Sequence, residues 1–113
     1  MAFYYFKQYN SFGFFDIDDM LCRLLFIEAD THDEAIKKAE EFGCYWDGVA
    51  KGIDCIYGQD RWSKKKNIPV NVDNIVIYAQ CLADNYGNFV SSSPFCRIFY
   101  KNGEVKEIFS ERA

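Results

Sequence analysis

Cys96-Arg-Ile-Phe-Tyr-Lys-Asn-Gly-Glu-Val-Lys-Glu-Ile-Phe109 sets two short alternating runs on either side of Asn102-Gly103. Asn-Gly in that setting is the strongest short-range hairpin signal, because both residues tolerate the left-handed backbone that a two-residue turn requires. With such a turn, Lys101 faces Glu104, Tyr100 faces Val105, Ile98 faces Glu107 and Cys96 faces Phe109. One face is then Cys96, Ile98, Tyr100, Val105 and Phe109, interrupted by Glu107, and it covers a core. The opposite face carries Arg97, Lys101, Glu104 and Lys106 and leaves Phe99 and Ile108 as spare apolar groups on which a second copy could pair.

Working outward, two further strands are expected near the N-terminus. Phe3 to Tyr9 is dense in aromatic residues and runs into the turn-like Asn10-Ser11-Phe12-Gly13. Arg23 to Ala29 is a compact apolar run, too short for a stable helix, and is expected to pair with the first strand across a loop holding Asp16, Asp18 and Asp19. Thr31-His32-Asp33-Glu34 is a capping box and starts a helix. Ala35, Ile36, Ala39 and Phe42 share one face of it, Asp33–Lys37 and Glu34–Lys38 are spaced as acid-before-base pairs, and Gly43 supplies the stop. His32, in the first turn beside acidic residues, reads as a solvated helix-start residue rather than a ligand or a base. Asp73 or Asn74 could cap a second helix through Ile77, Tyr78, Cys81 and Leu82 to Gly87, whereas the β-branched Val72, Ile75, Val76 and Ile77 leave a strand over 74–79 open. The expected fold is α+β: a small antiparallel sheet of about four strands packed against one or two helices, in a single domain over residues 1–113 with no repeat or linker.

Composition narrows the function classes. Thirteen Lys and Arg against seventeen Asp and Glu leave a net charge of -4, which argues against bulk coating of nucleic acid. The N-terminus lacks a signal peptide and no run reaches the length of a membrane span, so no membrane partner is expected. The five cysteines, Cys22, Cys44, Cys55, Cys81 and Cys96, show no disulfide framework and suit a reduced cytoplasm. With no Cys-x-x-Cys pair and one histidine, no metal and no cofactor is expected. Asp16, Asp18 and Asp19 lack the spacing of a calcium loop, no nucleophile has a base, and Gly48-x-x-x-Gly52 lacks the lysine of a phosphate loop, so catalysis is disfavoured.

The 11 Phe, 8 Tyr and 2 Trp exceed what so short a chain needs for its core, since each ring removes roughly 150–250 Å² from water. Both tryptophans fall in Cys44–Trp62, an aperiodic stretch with Gly48, Gly52 and Gly58, followed by the basic run Lys64-Lys65-Lys66. Tyr45, Trp46, Tyr57 and Trp62 could stack on a nucleobase, Arg61 could fork onto an anion, and Lys64, Lys65 and Lys66 would supply a local positive field. Trp, Tyr and Arg also dominate protein interfaces, so the same loop could block a partner protein. A third reading has Trp46 and Trp62 pinning a long loop onto the sheet, with Asp60 and Arg61 pairing with each other's neighbours to fix it.

The aromatic first strand with Asn10-Ser11 and a nearby glycine, EADTHDEAIKKAEEFG at 28–43, YWDGVAKGIDCIYGQDRW at 45–62 and KNGEV at 101–105 together resemble a family of small accessory proteins encoded by tailed bacteriophages. That pattern carries extra cysteines where this chain has Ile56 and Tyr57, a departure that counts against a metal cluster here. The resemblance implies a phage accessory protein in the host cytoplasm, of a kind often made to interfere with host defence, and it implies no reaction. Joined to the loop chemistry, it gives the expectation of a non-catalytic binding protein that captures a small nucleotide-like anion such as a host immune signal. The alternative is an inhibitor that binds and blocks a host defence or nucleic-acid enzyme.

Overall fold

The computed structural model describes residues 2–9, 17–54, 60–63, 70, 73–86 and 94–110. Its elements run β1 (Ala2–Lys7), β2 (Leu24–Ala29), α1 (His32–Phe42), α2 (Ile75–Tyr86), β3 (Cys96–Phe99) and β4 (Val105–Ile108). The fold class is α+β, with one four-stranded sheet in the order β1-β2-β3-β4. The sheet is mixed rather than antiparallel: β1 and β2 pair antiparallel, as do β3 and β4, but β2 and β3 run parallel, Leu24 opposite Cys96 and Ile27 opposite Phe99. A parallel pair needs a long crossover, and the chain from α1 to α2 supplies it.

Parallel central strands are covered on both faces. β3 is buried throughout and β2 nearly so. Strand alternation assigns Tyr4, Phe6, Leu25, Ile27 and Phe99 to one face, where His32 and Trp46 lie against Phe6 and Phe42 stacks on Phe99 at 4.2 Å. The other face presents Tyr5, Lys7 and Phe26, and there Tyr78 of α2 meets Phe26 edge-on at 6.0 Å. The helices therefore occupy opposite faces, not one.

The helix signals have identifiable causes. Thr31 Oγ1 accepts from the Glu34 N–H at 3.2 Å, and Gly43, at φ 118°, closes α1 by donating to Ala39 and Glu40 carbonyls. Ala35 and Ala39 are buried, with Ile36 and Phe42 packed at the margin. Residues 75–86 are helical because Asn74 Oδ1 caps the Val76 and Ile77 N–H groups, at 3.0 and 3.3 Å. The buried stripe of α2 is Ile75, Ala79 and Ala83, however, while Ile77 and Cys81 are exposed and Tyr78 is partly exposed over Phe26. His32 does start α1, but it is half-buried rather than solvated, its ring parallel to Phe6 at 6.3 Å and 5.5 Å from Tyr4.

The hairpin differs from expectation by one residue. Tyr100 N–H donates to the Glu104 carbonyl and Gly103 N–H to the Tyr100 carbonyl, leaving a three-residue loop, Lys101-Asn102-Gly103, in which only Gly103 is left-handed (φ 97°). Asn102 uses its side chain instead, accepting from the Glu104 N–H at 2.9 Å, and Lys101 is held by Glu28, Asp30 and Glu34. Cys96 consequently faces Ile108, Arg97 faces Glu107 and Phe99 faces Val105. The slip exchanges the inner and outer residues of β4, while β3 is buried on both faces. Phe99 and Ile108 are core, which overturns their expected role as a spare pairing surface, while Val105 and Phe109 are exposed.

Arg97, expected on the solvent face, is buried and grips Glu107 Oε2 through Nε and Nη2 at 3.1 and 2.9 Å. Its Nη1 donates to the carbonyls of Asp18 and Leu21, tying the end of β3 to the loop before β2. Asp18 stabilises the same corner by accepting from Met20 and Leu21 N–H groups at 2.8 and 2.7 Å. These backbone donors, first Leu21 and then Met20, hold the Asp18 carboxyl below its ordinary value of 3.8. Since the folded-state value is depressed, this contribution is full above the unfolded value and is lost as pH falls through the folded one. Asp18→Asn should therefore flatten the acid limb of stability, a change read from thermal melts between roughly pH 2 and pH 6.

Candidate functional site

The loop after α1 is organised around its own polar core. Asp54, buried, accepts from Tyr45 Oη at 2.7 Å and from the Arg61 N–H at 2.8 Å. Arg61 Nε lies 3.9 Å from the same carboxylate, and Nη1 donates to Gln8 Oε1 at 2.7 Å. Gln8 continues the chain of bonds to the Cys22 carbonyl, and Tyr9 N–H donates to the Arg61 carbonyl, so the loop is laced to the end of β1. Asp60 accepts from the Val49 N–H at 2.9 Å, and the Gly48 carbonyl accepts from Ile53 and Asp54. Burial first, and then the Asp54 carboxylate, pushes the Tyr45 hydroxyl up to about 12, which keeps it a donor.

Four of the sequence-predicted site residues are thus brought together, but inside the loop. Trp62 is 0% exposed, Trp46 5% and Arg61 8%, and Trp46 Nε1 donates to Glu40 Oε2 of α1 at 3.1 Å. Tyr45 is half-buried and engaged with Asp54. Trp46, Arg61 and Trp62 are buried, which fits the pinning role that their size and spacing also allowed. Tyr57, Lys64, Lys65 and Lys66 lie outside the described residues, as do Cys55, Asp16 and the Asn10–Gly13 turn.

A concave surface exists on the opposite face of the sheet. A cleft of about 510 Å³ opens between β1, β2, α2 and the approach to β3, walled by Tyr5, Tyr9, Phe26, Tyr78 and Phe95 and carrying Lys7 and Arg23. Tyr5, Tyr9 and Tyr78 are each more than a third exposed, so their rings are accessible. Lys7 Nζ stands 5.4 Å from the Tyr9 ring centre, and the Arg23 guanidinium lies 5.0 Å over Phe95. Gln8, at the floor, links this cleft through Arg61 to the loop core. A pocket of this size suits a small molecule, and accessible rings beside two cations suit one that is both planar and anionic.

No single window of the chain contains this site. Its one local trace is the alternation Tyr5-x-Lys7-x-Tyr9, which places two rings and a cation on the strand face away from Tyr4 and Phe6. Leu82, Tyr78 and Phe95 join only through tertiary structure.

The remaining chemistry of the described residues is quiet. Burial pushes the Cys22 and Cys44 thiols up to about 12 and raises Cys96 as well, so these three stay protonated and unreactive at neutral pH. Cys81 is exposed on α2. Brief alkylation of native protein followed by peptide mapping should modify Cys81 ahead of Cys22, Cys44 and Cys96, which should react only in urea. No group of three or more His, Cys, Asp or Glu among the described residues is placed to hold a metal ion, and no helix among them is long and apolar enough to cross a membrane.

The chain belongs to a family described as a domain of unknown function (DUF7296), which matches residues 1–113. No curated protein and no solved structure matches it.

Proposed function

We propose that this member of the family is a binding protein without turnover, which captures a small anionic ligand bearing a planar ring, nucleotide-like in chemistry, in the cleft between β1, β2 and α2. The observation that carries this reading is the conjunction of Tyr5, Tyr9 and Tyr78 with Lys7 and Arg23 around one opening of about 510 Å³. Stacking on each accessible ring contributes about 1–3 kcal/mol for a nucleobase. The two cations supply the anion contacts on a chain whose net charge of -4 gives no general attraction for anions. The resemblance to tailed-phage accessory proteins supports a biological form of the same reading: sequestration of a host immune nucleotide in the host cytoplasm.

Isothermal titration with cyclic dinucleotides, ADP-ribose derivatives and nucleoside mono- to triphosphates tests it. A saturable complex with one of these, releasing unmodified ligand on denaturation as judged by mass spectrometry, is the expected result. Lys7→Ala and Tyr78→Ala, both at exposed positions, should each weaken that complex about tenfold with unchanged melting. Absence of heat across the whole panel overturns the reading, and chemical change of the ligand overturns its non-catalytic part.

A further inference from the structure

We infer that the outer edge of β4 is a self-association surface, on which a second copy of this chain pairs antiparallel with Val105 at the two-fold axis. The two ends of the sheet are not equivalent. Beside β1, Val70 N–H donates to the Phe3 carbonyl at 2.7 Å and covers part of that edge. β4 is the last strand at the other end, and Val105, Lys106 and Glu107 are all exposed. Among the described residues nothing pairs with that edge.

The register follows from the backbone. Tyr100 N–H donates to the Glu104 carbonyl and Phe95 N–H to the Ile108 carbonyl, so residues 104, 106 and 108 turn their peptide groups toward β3. In an antiparallel ladder the alternate residues, Val105 and Glu107, then direct theirs away from the sheet. A symmetric antiparallel pair requires residues of equal parity opposite one another, and the exposed residues of β4 that could lie on the axis are Val105, Lys106 and Glu107.

Placing Lys106 on the axis sets two ammonium groups face to face, and placing Glu107 there does the same with carboxylates. Like charges directly opposite are destabilising. With Val105 on the axis, each Glu104 lies opposite the partner's Lys106, two favourable cross-strand pairs flank a valine pair, and the outward Val105 peptides bond to each other. Glu104 and Lys106 are exposed and free to meet a partner in this way, whereas Glu107 is already held by Arg97. Val105 is 50% exposed, a β-branched residue at an open edge that such pairing would cover. A lysine on an edge strand ordinarily discourages pairing, and here one register neutralises it.

The test uses the full chain without ligand, so that its outcome is independent of the cleft. Sedimentation equilibrium should show a concentration-dependent dimer. Lys106→Glu should raise the dissociation constant about tenfold or more, and Glu104→Lys combined with Lys106→Glu should restore it. In a Cys81→Ser background, Val105→Cys should form an intermolecular disulfide on mild oxidation and Lys106→Cys should not, because the Cα separation across a ladder pair, about 5.5 Å, lies within disulfide range. A monomer at every concentration overturns the inference. A dimer that is indifferent to the charge reversal, or is cross-linked by Lys106→Cys, overturns the edge register.

Discussion

Trp62→Ala is expected to lower stability by about 3–5 kcal/mol, the range found when a fully buried large aromatic is truncated. Trp62 is 0% exposed and belongs to the main apolar cluster. Urea denaturation should show the loss as a shift of the midpoint with a largely preserved slope. A companion variant separates volume from polarity. Trp62 Nε1 makes no hydrogen bond among the described residues, so Trp62→Phe, which keeps most of the ring, should lose only about 1–2 kcal/mol. If Trp62→Ala instead melted like the parent while abolishing ligand capture, the ring would be a contact residue and the loop, rather than the cleft, would be the binding site.

Gly48→Ala should be comparably severe, for a different reason. A Cβ at position 48 would stand 2.0 Å from Asp54 Oδ2 and 2.8 Å from Tyr45 Cε2. Neither can yield cheaply, because Asp54 holds the Arg61 N–H and the Tyr45 hydroxyl within a buried network. Displacing the carboxylate leaves charged and polar groups buried without partners, at a cost of about 3–5 kcal/mol. Gly52→Ala is the control: Gly52 is left-handed at φ 77° but has open space around its Cα, so it should lose only about 1 kcal/mol. Chemical denaturation of both variants checks the contrast. Equal losses would mean that backbone conformation, and not the packing of Asp54, governs the loop.

The local elements were legible because their determinants are local. Thr31, Glu34 and Gly43 bound α1 through contacts spanning a few residues, and the alternation in Phe3–Tyr9 and the run at Arg23–Ala29 mark their strands. The hairpin was legible as a hairpin but not in its register. Asn102-Gly103 is compatible with loops of two or three residues, and what accompanies the longer one is tertiary: Ile108 is buried, and Lys101 attaches to Glu28, Asp30 and Glu34, more than sixty residues earlier. That one-residue difference put Ile108 inward and Val105 outward, whereas Phe99 is buried because β3 is covered on both faces. The parallel pairing of β2 with β3 was equally hidden, since no local pattern in Leu24–Ala29 states the direction of a neighbour that arrives some seventy residues later.

The candidate site divides the same way. The concentration of rings and glycines between Gly43 and Ser63 marked a loop, and the same residue types suit a ligand surface or a private core; burial of Trp46, Arg61 and Trp62 is what the sequence could not state. By itself the sequence determined an α+β chain with a capped helix, a C-terminal hairpin, a surplus of aromatic rings and a net charge of -4, because propensity, capping and charge act over short range or as sums. Tertiary structure decided which rings are consumed in packing and which stay open. Trp46 and Trp62 are buried in the core, while Tyr5, Tyr9 and Tyr78, unremarkable apart in the chain, line one cleft because α2 packs over the sheet face on which β1 presents Tyr5.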